Sequence, residues 1–130
     1  MLVDAFISQE AYQALQALNL IFPGSSSEGF LIGHKRGGQF FVEKIFPSLA
    51  GFFPSLEKYN QLDQLFEGRL IGFFSFKPEE KKVKKILVPF ACGKLFLKLI
   101  PKGEKNLNIQ SFVIDYEKKF FLAPIQLKIA

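Results

Sequence analysis

The 130-residue chain has no tryptophan, one cysteine, one histidine and one methionine, and only two of its seventeen basic residues are arginines. Each scarcity closes off some chemistry. A single thiol, Cys92, forms no internal disulfide, so stability has to come from a core, and a reducing, cytoplasmic setting is expected. A single imidazole, His34, excludes any two-histidine metal site within one chain. The shortage of arginine disfavours bidentate phosphate recognition and leaves lysine point charges. No membrane span is expected, because the stretch Leu18–Ser27 is interrupted by Pro23, Gly24 and three serines. Asp4 stands where a secretion signal carries basic residues, and no small-residue cleavage site follows an apolar run.

What the chain does have is phenylalanine, seventeen copies of it, in a composition 48% hydrophobic and 22% charged. That is too apolar for a disordered chain and predicts one aromatic-heavy core in a single domain, 1–130. Met1–Ile7 reads as a short edge strand. Ser8 reads as the N-cap of a helix to Asn19, with Glu10 at the positive end of the dipole and Tyr12, Leu15 and Leu18 on one face. After a loop at Pro23–Ser27, Gly29–His34 and Gln39–Phe46 form a hairpin whose Gly37 and Gly38 supply positive φ. Phe46-Pro47-Ser48-Leu49 recurs as Phe53-Pro54-Ser55-Leu56. Two copies are too few for a solenoid, and the segment reads as a loop anchored by its phenylalanines. Ser55 then caps a second helix, in which Leu56, Tyr59, Leu62 and Phe66 recur at helical spacing before Gly68 closes it. In Arg69–Pro78, alternation puts Leu70, Gly72, Phe74 and Phe76 on one face of a strand and Ile71, Phe73, Ser75 and Lys77 on the other. Pro78, lacking an N–H, ends it. A second hairpin of Lys94–Ile100 and Leu107–Tyr116 and a last strand, Phe120–Ile129, complete the chain. Six or seven strands and two helices predict an α+β domain, a mixed, largely antiparallel sheet with flanking helices.

The strand end Gly72-Phe73-Phe74-Ser75-Phe76-Lys77-Pro78 resembles the "Gly-aromatic-aromatic-His-x-His-Pro" strand end of the MPN/JAMM (JAB-like) zinc isopeptidases and their inactive relatives, and Gly29-Phe30-Leu31-Ile32-Gly33 resembles their "Gly-x-Leu-x-Gly". The order of motifs matches from about Ser8 to Phe76. The resemblance implies a curled, MPN-like and cytidine-deaminase-like sheet. It also implies a degenerate site, because Ser75 and Lys77 stand at the two histidine positions. The family's spacing puts its serine and aspartate at Lys85 and Val88, and its general-base glutamate at Ser26, with Glu28 two residues on as a shifted candidate. An ammonium has no lone pair for zinc and a serine hydroxyl is a poor ligand, so no metal or other cofactor is expected and no catalytic residue is assigned.

His34 reads as a solvated turn histidine, and Cys92 as a small buried hydrophobe rather than a nucleophile activated by His34 or a lysine. The net charge is +5, and Lys77, Lys81, Lys82, Lys84 and Lys85 outweigh Glu79 and Glu80 in one block, expected to lie exposed in a loop or short helix. Two functions stay open, beside the lesser alternative of an enzyme with an unrecognised site. One is a non-catalytic MPN-like module that binds a protein partner or itself, for which the adjacent Phe52 and Phe53 are candidate contacts. The other is a nucleic-acid or anionic-surface binder using the Lys77–Lys85 block, with Lys81, Lys82, Lys84 and Lys85 as candidate contacts.

Overall fold

The structure, a computed structural model, describes residues 5–21, 28–48, 56–103 and 106–130. Ser26, Phe52, Phe53 and Ser55 lie outside them, as does the side chain of Lys82. In chain order the elements are β1 (Ala5–Ile7), α1 (Gln9–Ile21), β2 (Glu28–Arg36), β3 (Gln39–Ser48), α2 (Leu56–Leu65), β4 (Leu70–Phe76), α3 (Glu80–Lys85), a 3₁₀ turn (Pro89–Ala91), β5 (Leu95–Lys102), β6 (Asn106–Glu117), β7 (Lys119–Pro124) and β8 (Leu127–Ile129). Ser8 caps α1 as its sequence predicts: its Oγ accepts from the Ala11 amide at 3.0 Å and donates to the Glu43 carbonyl at 2.9 Å. Gly68, at φ +75°, donates its amide to the Asp63 carbonyl and closes α2.

The strands form one eight-stranded sheet in the order β7-β6-β5-β4-β2-β3-β1-β8. Pairs β4–β5, β3–β1 and β1–β8 are parallel and the rest antiparallel, so the α+β expectation of a mixed sheet holds. The sheet is curled. β7 and β8 lie at opposite ends of the order yet are joined by Ile125 and Gln126, whose backbones bond to Ser111 of β6 and Ala5 of β1. One core cluster draws on every strand but β7, and α1 packs against it through Ala11 and Leu15. The second lies on the other face, covered by Tyr59, Leu62 and Phe66 near α2, Val83 of α3 and Ala91.

The phenylalanine content has a geometric explanation. Register aligns Phe46, Phe30, Phe73, Phe96 and Phe112 across five adjacent strands, β3-β2-β4-β5-β6. Phe30 and Phe73 meet edge to face at 5.7 Å, and Phe96 and Phe112 stack at 6.4 Å. Gly72 lets β5 come close on the other face, where a Cβ would run into the Leu95 carbonyl.

Several expectations need correction. The N-terminal strand is interior, between β3 and β8, because both partners pair with it in parallel from distant parts of the chain. Alternation in β4 breaks at a bulge: Ile32 pairs with Leu70 but Leu31 with Gly72, so Ile71 joins Phe74 and Phe76 while Leu70 joins Phe73. The first Phe-Pro-Ser copy belongs to β3 rather than a loop, since its residues pair with Glu28–Phe30. Helix α1 runs to Ile21, α3 is a third helix, and Phe120–Ile129 is two strands. Phe73→Ala should cost about 3–5 kcal/mol in urea denaturation, and Phe46→Ala, at the exposed end of the row, less than half as much. Equal losses would mean that the row is not graded by burial.

Candidate functional site

The residues singled out by sequence fall at opposite ends of β4. At its C-terminal end, register places Ser48, Glu28, Ser75, Lys98 and Gln110 side by side on β3, β2, β4, β5 and β6. This polar row lies two residues along from the phenylalanines and on the same face. Glu28 and Ser75 are buried and directly opposite one another, while Lys98 is half-buried. Ser75 Oγ has no hydrogen-bond partner among the described residues. Lys77 leaves the strand with φ +44°, its amide bonded to the Leu99 carbonyl and its side chain exposed. The left-handed turn explains how a lysine avoids burial directly after buried Phe76.

A zinc ion does not fit this donor set. Glu28 offers a carboxylate, but its register neighbours Ser48 and Ser75 offer only hydroxyls, and Lys98, beyond Ser75, offers an amine. Lys85, at the end of α3, is exposed, and Val88 is half-buried against the second core cluster. Lys81 and Lys84 are exposed on α3, as predicted for the basic block, with Val83 turned to the core.

The other end of β4 brings together residues that sequence reasoning treated separately. A pocket of about 480 Å³ is lined by residues of three segments: Gly33–Lys35 with Phe40, Gly68 and Arg69 with Ile71, and Cys92–Lys94. The expectation that Cys92 is a buried hydrophobe is overturned. Ala91 takes the core position, Gly93 turns at φ +84°, and Cys92 is exposed between them. His34 is exposed but held, stacked on Phe41 at 4.8 Å with Nδ1 2.8 Å from Glu43 Oε1. Glu43 is an extra residue in β3, since Ile32 pairs with Lys44 and Gly33 with Val42. The Arg69 guanidinium donates to its other oxygen at 2.7 Å. These bonds, from His34 first and then Arg69, hold the Glu43 carboxyl below its ordinary value of 4.5. On the covering helix, burial, and then the nearby Asp63 carboxylate, push the Tyr59 phenol up to about 12.

No family model matches the chain and no curated protein is similar to it in sequence. Among solved structures, protein DSY2949 from Desulfitobacterium hafniense is similar over 97% of this chain and 92% of its own, at 15% identity and a TM-score of 0.69. The likeness is one of fold. A protein from Salinibacter ruber is similar over 88% of each chain, at 9% identity and a TM-score of 0.54.

Two expectations follow. Ser75→Ala should leave stability unchanged or raise it by up to about 1 kcal/mol, because it removes a buried hydroxyl with no partner among the described residues. A clear loss in urea denaturation would reveal a partner. Glu43, with its pKa depressed on folding, stabilises fully above about pH 4.5 and less as pH falls through the lower folded value. Exposure and salt keep that contribution small. Glu43→Gln should therefore flatten the acid limb of the stability–pH curve at low salt, and an unchanged limb would count against the pair.

Proposed function

We propose that the chain is a metal-less MPN/JAMM-like domain that works by binding protein, either a partner or itself, in a cytoplasmic setting suited to its free thiol. The observation that carries this reading is the end of β4. There a buried glutamate, Glu28, lies opposite Ser75, a position where the resemblance has a ligand histidine, and Lys77, at the other such position, turns to solvent. The frame of a hydrolytic site is kept while the groups that would activate water are replaced. Apolar side chains left at the surface supply material for association, among them Ile21 and Leu65, at 65% and 73% exposure. Phe52 and Phe53, outside the described residues, are adjacent in sequence, and if the backbone there is extended they cannot both point into one core.

A second reading, nucleic-acid binding, rests on the exposed Lys77, Lys81, Lys84 and Lys85. It predicts an affinity that falls steeply with added salt, whereas the interaction module predicts no such retention on DNA or RNA. Metal analysis of the purified chain should find no stoichiometric zinc, and no isopeptide bond should be cleaved; one zinc per chain would overturn the metal-less assignment. Phe52→Ser with Phe53→Ser should reduce the mass of any self-associated or partner-bound species in solution while leaving the melting point unchanged. A sharp drop in melting point with unchanged mass would make the two rings core residues and remove them from the proposed surface.

A further inference from the structure

We propose that the pocket at the N-terminal end of β4 binds the phosphoryl group of a small molecule, through Lys94, Lys35 and Arg69. Among the described residues its lining carries these three basic side chains together with His34, and no carboxylate. Lys94 is the innermost of these cations, half-buried where Lys35 is exposed. It stands at the start of β5, and its Nζ donates to the Leu70 carbonyl at 2.8 Å. An ammonium has three protons, and among the described residues this is the one hydrogen bond its Nζ makes. Lys35 reaches the same pocket from β2, with its Nζ 5.0 Å from the Phe40 ring centroid.

The carboxylates nearby offset part of this charge from outside the lining. Glu43 is shared between His34 and Arg69, outside the lining. Asp63, also outside it, acts on Lys94 electrostatically. Burial holds the Lys94 ammonium below its ordinary value, Asp63 pulls it up, and the like charge of Lys35 pulls it down again. The like charges of Lys35 and Lys94 thus share one concave site, with Lys94 partly desolvated. An oxyanion relieves both costs at once by accepting hydrogen bonds from each. The volume, about 480 Å³, exceeds that of a free phosphate, and Phe40 and Ile71 add apolar wall for the organic part of a phosphomonoester. The site lies at the opposite end of β4 from Ser75 and is independent of the reading above.

Cys92 lines the pocket and is exposed, so it is a built-in reporter. The rate of its alkylation by iodoacetamide would be followed by mass spectrometry in the full chain, with sodium phosphate, a nucleoside monophosphate, or sodium chloride at matched ionic strength. The expected result is saturable protection by a phosphate-bearing compound and none by chloride. Protection by inorganic phosphate alone would mark the free anion as the ligand, and protection by the nucleoside monophosphate alone would mark the ester. Lys94→Met should weaken the protecting affinity by about tenfold or more, as loss of a charge-assisted hydrogen bond does. Because Lys94 also holds the Leu70 carbonyl, Lys35→Met provides a second, exposed variant that should weaken it too, while Lys81→Met on α3 should not. Equal alkylation rates in all three solutions would overturn the proposal. So would protection that survives both pocket variants.

Discussion

Pro124 and Leu127 are two residues apart in the gap between them, yet they belong to strands at opposite ends of an eight-strand order. Laid flat, seven strand spacings span about 34 Å, whereas the three peptide steps from Pro124 to Leu127 reach about 10 Å. The sheet has no choice but to roll. Rolling encloses one face, which gathers Leu31, Phe74, Leu97 and Leu127 into a common core beneath α1, and leaves the other face to be covered by short helices. The joint is fastened on both sides, by Ile125 to Ser111 and by Gln126 to Ala5.

The row of phenylalanines belongs to the outer face of that roll. A surface that must be covered by short helices gains from large, flat side chains that bury much area with few rotatable bonds. Helix α2 answers with Tyr59 over Phe73, and the turn after α3 places Phe90 4.8 Å from Tyr59. Where the row of rings stops, the polar row begins, and the chain turns out at Lys77. Thus the same register that builds the core sets Glu28 beside Ser75.

Local signals were legible in the sequence. Ser8 caps its helix, Gly37 and Gly38 turn the first hairpin, and Gly68 ends α2, because each depends on a few neighbouring residues. What was not legible is set by partners far along the chain. The bulge at Ile71 arises from how β4 meets β2, and no property of Arg69–Pro78 alone announces it. The interior place of β1 follows from pairing with β3 and β8. The pocket around Lys94 is of the same kind. His34, Arg69 and Cys92 are spread over some 60 positions and meet because β2 ends where the adjacent β4 and β5 begin. Lys94 itself carried no sequence signal that set it apart from the other lysines.

The seam between β1 and β8 also orders events in time. Ala5 pairs with Leu127, roughly 120 residues later, and closing such a contact costs loop entropy that local hairpins never meet. The hairpins β2–β3 and β5–β6 can zip as soon as their own residues exist. Strand β1, three residues long, acquires its outer neighbour only when β8 arrives. Until then the roll stands open, with the strand edge and the apolar inner face both presented to solvent. During synthesis this is the interval in which the chain is most open to a wrong partner, and the last three-residue strand is what ends it.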